Sequence, residues 1–110
     1  MRRMDALPPE IAEHLDEVRT LCEKYSVKRL TLFGSAVKGT FDPATSDLDF
    51  AVEFFPHPDP LVRGDRYWDL LFSLQTLFAR DIDLVVLSSV KNPYFIQVLE
   101  MTQRSVYEAA

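Results

Sequence analysis

Asp47 and Asp49 lie in a stretch whose side chains alternate: Leu48, Phe50, Val52 and Phe54 are apolar, and Asp47, Asp49, Ala51 and Glu53 fall between them. Such alternation predicts a half-buried strand, where positions two apart leave the same face. Two ionised carboxylates held that close repel each other unless a cation lies between them. Oxygen-only ligands select a hard ion, and Mg²⁺ binds one or two carboxylates together with substrate phosphates. A third carboxylate, Asp83, sits in the apolar run of residues 82–87, which predicts another strand. Beside the first strand it could hold a second Mg²⁺ and face an attacking hydroxyl. Paired ions about 4 Å apart stabilise the entering and leaving oxygens of an in-line displacement at phosphorus.

Gly34 and Ser35 supply the other half of such a site. They end the run VKRLTLF of residues 27–33, whose β-branched and apolar side chains predict a strand. A glycine there lets the backbone approach a phosphate with no Cβ in the way. Ser35 adds a hydroxyl donor at the start of a short helical turn, where unpaired N–H groups favour anions. Lys38, one turn on, can reach a phosphate oxygen as a point charge.

Each piece alone has a plainer explanation. Asp-x-Asp is often just solvated, Gly-Ser is most often a turn, and Ser46 to Asp49 also fits a helix-capping pattern. The alternation continuing to Phe54 has the wrong period for that cap. Asp81 competes with Asp83, since both would leave a strand on the same side. Asp83 lies inside an apolar run, where an unpaired carboxylate is costly, whereas Asp81 follows Arg80 at a helix exit and needs no metal. Asp83 is therefore the expected third ligand. The ensemble of strand, turn, strand and a later carboxylate points to phosphoryl transfer.

These residues need elements to hold them. Pro8 and Pro9 open a predicted helix running to Tyr25, with Ile11, Leu15, Val18, Cys22 and Tyr25 on one face. Cys22 reads there as core packing. The prolines at 56, 58 and 60 predict an extended loop, followed by a helix over residues 65–79. Its inner side carries Tyr67, Leu70, Leu71, Leu74, Leu77 and Phe78, and Tyr67 and Trp68 read as packing residues rather than a base-stacking platform. Pro93 opens a last helix with Phe95, Ile96, Leu99 and Val106 inward. The fold class is α/β: a small mixed sheet packed with helices in two or three layers.

A chain of 110 residues fits one domain, with the N-terminal helix over residues 8–25 and a core over residues 27–110. A net charge of −5 with no long Lys/Arg run argues against a stable nucleic-acid footprint, which needs a basic stripe to displace counterions. It suits a protein that meets its anions through a metal. One cysteine cannot form an internal disulfide, and no apolar run is long enough to span a bilayer, so a cytoplasmic setting with no membrane partner is expected.

Three runs together resemble a known family: Leu32 to Gly39 (LFGSAVKG), Ser46 to Phe50 (SDLDF) and Ile82 to Val85 (IDLV). They are similar to the minimal nucleotidyltransferase (MNT) branch of the DNA polymerase β superfamily. Asn92 to Phe95 and Val106 to Ala109 look like the C-terminal stretch of the same small proteins. The resemblance implies a polymerase β-like fold, Asp47 and Asp49 as the metal-binding pair, and Asp83 as third catalytic carboxylate. It implies that Gly34 and Ser35 bind a triphosphate, with ATP as donor and pyrophosphate as leaving group. It also implies a HEPN-domain toxin as partner, neutralised when the MNT protein transfers AMP to a tyrosine hydroxyl. The family usually carries Arg where Lys38 stands, so the charge is kept and the two-pronged grip is not. Two other classes remain open at this point: an antitoxin that acts by occlusion alone, and a nucleotidyltransferase acting on a small molecule or an RNA end.

Overall fold

The computed structural model describes residues 7, 9–33 and 48–109. Strand β1 (Val27–Phe33) occupies its predicted run, and strand β2 (Leu48–Phe54) the described part of its own. Strand β3 (Ile82–Val86) ends one residue short of its expected run, where Leu87–Ser89 turn as a 3₁₀ helix. The sheet order is β3-β2-β1-β4. β1 runs antiparallel to β2 and to β4 (Arg104–Glu108), while β2 and β3 are parallel, so the sheet is mixed as expected. A parallel pair needs a long crossover. Here the crossover contains a helix of 19 residues, Pro60–Phe78.

The predicted N-terminal helix is two helices, α1 (Pro9–Ala12) and α2 (Leu15–Lys24), broken at Glu13 and His14. Ile11, Val18 and Cys22 still reach the core together. Helix α3 (Pro60–Phe78) starts five residues before its expected first residue, Asp65, because Asp59 caps it: its carboxylate accepts the Leu61 N–H at 2.9 Å, and Pro60 takes the first-turn position that needs no N–H. Ala79 ends it with φ 55, a left-handed geometry costing about 1 kcal/mol for a residue with a Cβ. Helix α4 (Pro93–Thr102) is capped in the same way by Asn92, which accepts from the Tyr94 N–H at 2.9 Å.

Val106 does not extend that last helix. It belongs to β4, which pairs with β1 and is not among the strands expected from the sequence. Ile96 is exposed rather than inward, while Leu99 is buried and Phe95 packs beside it. Tyr67 packs against the main core as expected, whereas more than half of Trp68 is exposed.

The main core lies on one face of the sheet, where Leu30, Leu32, Leu48, Phe50 and Val52 meet Ile11, Val18 and Cys22 from α1 and α2 and Leu70, Leu74 and Phe78 from α3. Burying one such side chain is worth about 1.5–3 kcal/mol. The opposite face holds a smaller cluster of Phe33, Ala51 and Leu99, with Val85 and Phe95 packed against it. Helices thus cover both faces, and the three-layered form of the expected α/β domain is the one adopted. Arg80 fastens α1 to the turn before β3 through a forked pair with Glu10, at 2.9 and 3.2 Å.

Candidate active site

Strand pairing places the carboxylates. β2 turns Leu48, Phe50 and Val52 toward the main core, so Asp49 leaves from the other face, half-buried. On β3, Ile82 and Leu84 are buried and Asp83 between them is exposed. The apolar run thus hides an alternation, and Asp83 avoids the burial cost expected of it. Asp49 and Asp83 are register partners across the parallel β2–β3 pair. Neighbouring strands lie about 4.8 Å apart, and in-register side chains leave the same face. Asp81 stands just before β3, exposed, and its backbone carbonyl accepts the Leu48 N–H at 3.2 Å.

On its other side Asp49 pairs with Phe33, the last residue of β1. The chain continues from Phe33 into Gly34 and Ser35 and re-enters β2 directly after Asp47. Gly34, Ser35, Lys38 and Asp47 lie outside the described residues. The described part of the site is therefore the Asp49–Asp83 pair and the walls around it.

Those walls form a cleft of about 440 Å³ around the edge strand β3. Tyr67, Trp68 and Leu71 come from α3, Phe95 from α4 and Phe33 from β1. Phe33 and Phe95 meet edge to face at 5.5 Å. Tyr67 and Trp68 do the same at 5.2 Å. The Tyr67 hydroxyl donates to the Leu84 carbonyl at 2.7 Å. Burial first, and then the negative charge of Asp83, push its phenol above the ordinary tyrosine range. The hydroxyl therefore stays a donor at neutral pH.

Tyr67 packs against the core as expected, and it and Trp68 also wall the cleft, a role not expected of them from the sequence. The available signal was a pair of amphipathic aromatics on the helix that leads into the Asp83 strand. Among the described residues no three His, Cys, Asp or Glu side chains gather as a metal cluster. The donor set that is described, two carboxylates on adjacent strands, suits a hard oxygen-seeking cation. Among the described residues no helix is long and apolar enough to cross a membrane.

The sequence matches the nucleotidyltransferase domain family over residues 15–104. It is 35% identical to a proposed protein adenylyltransferase of Methanocaldococcus jannaschii over 82 residues, 74% of this chain and 79% of that protein. Its fold is similar to that of a proposed minimal nucleotidyltransferase of known structure, with a TM-score of 0.66 and 26% identity over 82% of this chain and 87% of the other. It is also similar in fold to a chain from the complex of a tri-AMPylated Shewanella oneidensis HEPN toxin with an MNT antitoxin. There the TM-score is 0.61 and the identity 21%, over 90% of this chain and 73% of that one.

Proposed function

We propose, from the premise that this chain belongs to the nucleotidyltransferase domain family in its minimal, polymerase β-like form, that it transfers AMP from ATP to a hydroxyl of a HEPN-domain toxin and so acts as its antitoxin. The observation that carries the reading is the register pairing of Asp49 with Asp83 in an aromatic-walled cleft. Support for the acceptor comes from the fold shared with the AMPylated toxin–antitoxin complex and from the relative proposed to be a protein adenylyltransferase.

Asp49 and Asp83, with Asp47 next to β2, are the residues that would hold Mg²⁺. When bound, the ion supplies charge neutralisation for the triphosphate and for the displaced pyrophosphate. Gly34 and Ser35 bind the triphosphate, with Lys38 as a neighbouring point charge. The acceptor oxygen forms a bond to the α-phosphorus while the bond from that phosphorus to the pyrophosphate oxygen breaks. The hydroxyl proton passes to the Asp83 carboxylate, since a neutral tyrosine or serine hydroxyl is a poor nucleophile. Tyr67 and Phe95 narrow the cleft and keep bulk water from competing as acceptor.

The test is mass spectrometry of the HEPN-domain protein after co-expression with the wild-type chain. A gain of one or more AMP units is expected. A toxin that is neutralised yet never gains mass assigns the antitoxin role to occlusion alone. AMP appearing on RNA or on a small molecule instead assigns a different acceptor.

A further inference from the structure

Helix α3 holds Leu61, Trp68 and Phe72 out to solvent, 77%, 54% and 56% exposed. Steps of seven and then four residues put the three on one line along the helix. Trp68 and Phe72 stack with ring centroids 5.9 Å apart. Trp68 is also a wall of the Asp49–Asp83 cleft, whereas Phe72 is a wall of a second groove, of about 560 Å³, between α2 and α3. Leu21 and Leu77 line that groove as well. One aromatic ladder therefore runs from the carboxylates, over the outer face of α3, into an apolar groove. Single exposed apolar side chains are ordinary, but a stacked pair that joins a cleft to an apolar groove marks a binding surface.

Charge selects the occupant. Asp65 and Asp69 are exposed beside the ladder on α3, and Glu17 stands on the far groove wall on α2. None of the three is in an ion pair among the described residues. A second copy of this chain would set these carboxylates against their own kind, whereas a basic partner would neutralise them. We infer that the Leu61–Trp68–Phe72 track docks the protein that supplies the acceptor hydroxyl, through an apolar segment flanked by Lys or Arg, and delivers its acceptor side chain to the cleft. This rests on the protein acceptor proposed above.

The probe is the purified HEPN-domain protein, titrated by calorimetry into the full chain. Leu61→Arg and Phe72→Arg change solvent-facing positions away from the carboxylates. Each should weaken partner binding by roughly tenfold or more, with binding of a non-hydrolysable ATP analogue and the unfolding temperature near wild type. Asp65→Lys with Asp69→Lys should weaken it too, more at low salt than at high salt. The inference is overturned if Leu61→Arg and Phe72→Arg bind as tightly as wild type, if wild type does not bind at all, or if wild type sediments as a dimer that these variants dissociate. The two readings separate cleanly. Weakened binding by the variants with no AMP added by wild type leaves the docking surface standing and removes the transfer reaction. AMP added equally by wild type and variants at limiting partner concentration does the reverse.

Discussion

The Tyr67 hydroxyl and the Leu84 carbonyl lie 2.7 Å apart, and their bond ties helix α3 to the outer edge of the strand that carries Asp83. Backbone carbonyls alternate in direction along a strand. The Asp81 carbonyl accepts from Leu48 on β2, so the Leu84 carbonyl, odd-numbered steps away, points to the open edge. Tyr67 satisfies it there, one residue beyond Asp83.

Tyr67→Phe removes that donor and little volume. Stability measured by urea unfolding should fall by about 1 kcal/mol. If the bond also positions Asp83, kcat for AMP transfer should fall while the KM for ATP holds. The pH dependence has a definite sign. The phenol is raised in the folded state, so its contribution is complete below the ordinary tyrosine value of 10.0 and is lost as pH climbs through the raised value. Tyr67→Phe should therefore lose part of the alkaline limb of the stability profile. Wild-type stability and an unchanged alkaline limb in the variant would show that the bond contributes nothing.

Cys22 is fully buried, and burial, then the charge of Glu23, push its thiol from 9.0 up to about 12. The native protein should resist iodoacetamide at pH 8 and react completely in denaturant, because the thiolate is the reactive form. A folded value above the unfolded one means stability that is complete below pH 9 and declines as pH rises toward 12. The decline is at most about 1.4 kcal/mol per pH unit. Cys22→Ala should flatten the portion just above pH 9, and rapid native-state alkylation of the wild type would contradict the burial argument.

Asp49 and Asp83 are like charges at paired positions, an arrangement that costs a few tenths of a kcal/mol or more in a sheet. Without metal, Asp83→Asn should be as stable as wild type or slightly more stable. With Mg²⁺ the order should reverse. At about 100 times its dissociation constant the ion should add about 2.7 kcal/mol to the wild type and far less to Asp49→Asn or Asp83→Asn. Thermal unfolding with and without Mg²⁺ reads this directly, and equal Mg²⁺ shifts in all three proteins would remove the carboxylates from the metal site.

The central strands were legible because β-branched runs and period-2 alternation are local signals: β1 fills its predicted residues, and β2 fills its own from Leu48 on, Asp47 lying outside the described residues. β4 was not, because Arg104–Glu108 is short, follows a helix directly and becomes a strand only through its pairing with β1. The start of α3 was hidden by three prolines read as loop, although Asp59-Pro60 is itself a helix-start pattern. In the site, the spacing of Asp49 and the apolar setting of Asp83 suggested chemistry, but their pairing is a matter of register between strands 34 residues apart in sequence. The aromatic walls depend on how α3 and α4 straddle the β3 edge, and no local pattern reports that. Gly34, Ser35, Lys38 and Asp47 lie outside the described residues, and their roles rest on the sequence pattern.

The most direct measurement is single-turnover AMP transfer to the HEPN-domain protein by wild type and Asp83→Asn, with binding of a non-hydrolysable ATP analogue measured on the same samples. Losing a positioned general base costs on the order of 10²–10⁴ in rate. A fall of that size is expected in Asp83→Asn, with partner binding kept and analogue binding retained through Asp47, Asp49 and Ser35. A wild-type transfer rate in Asp83→Asn would contradict it, because the carboxylate that β3 sets beside Asp49 would then have no part in the chemistry.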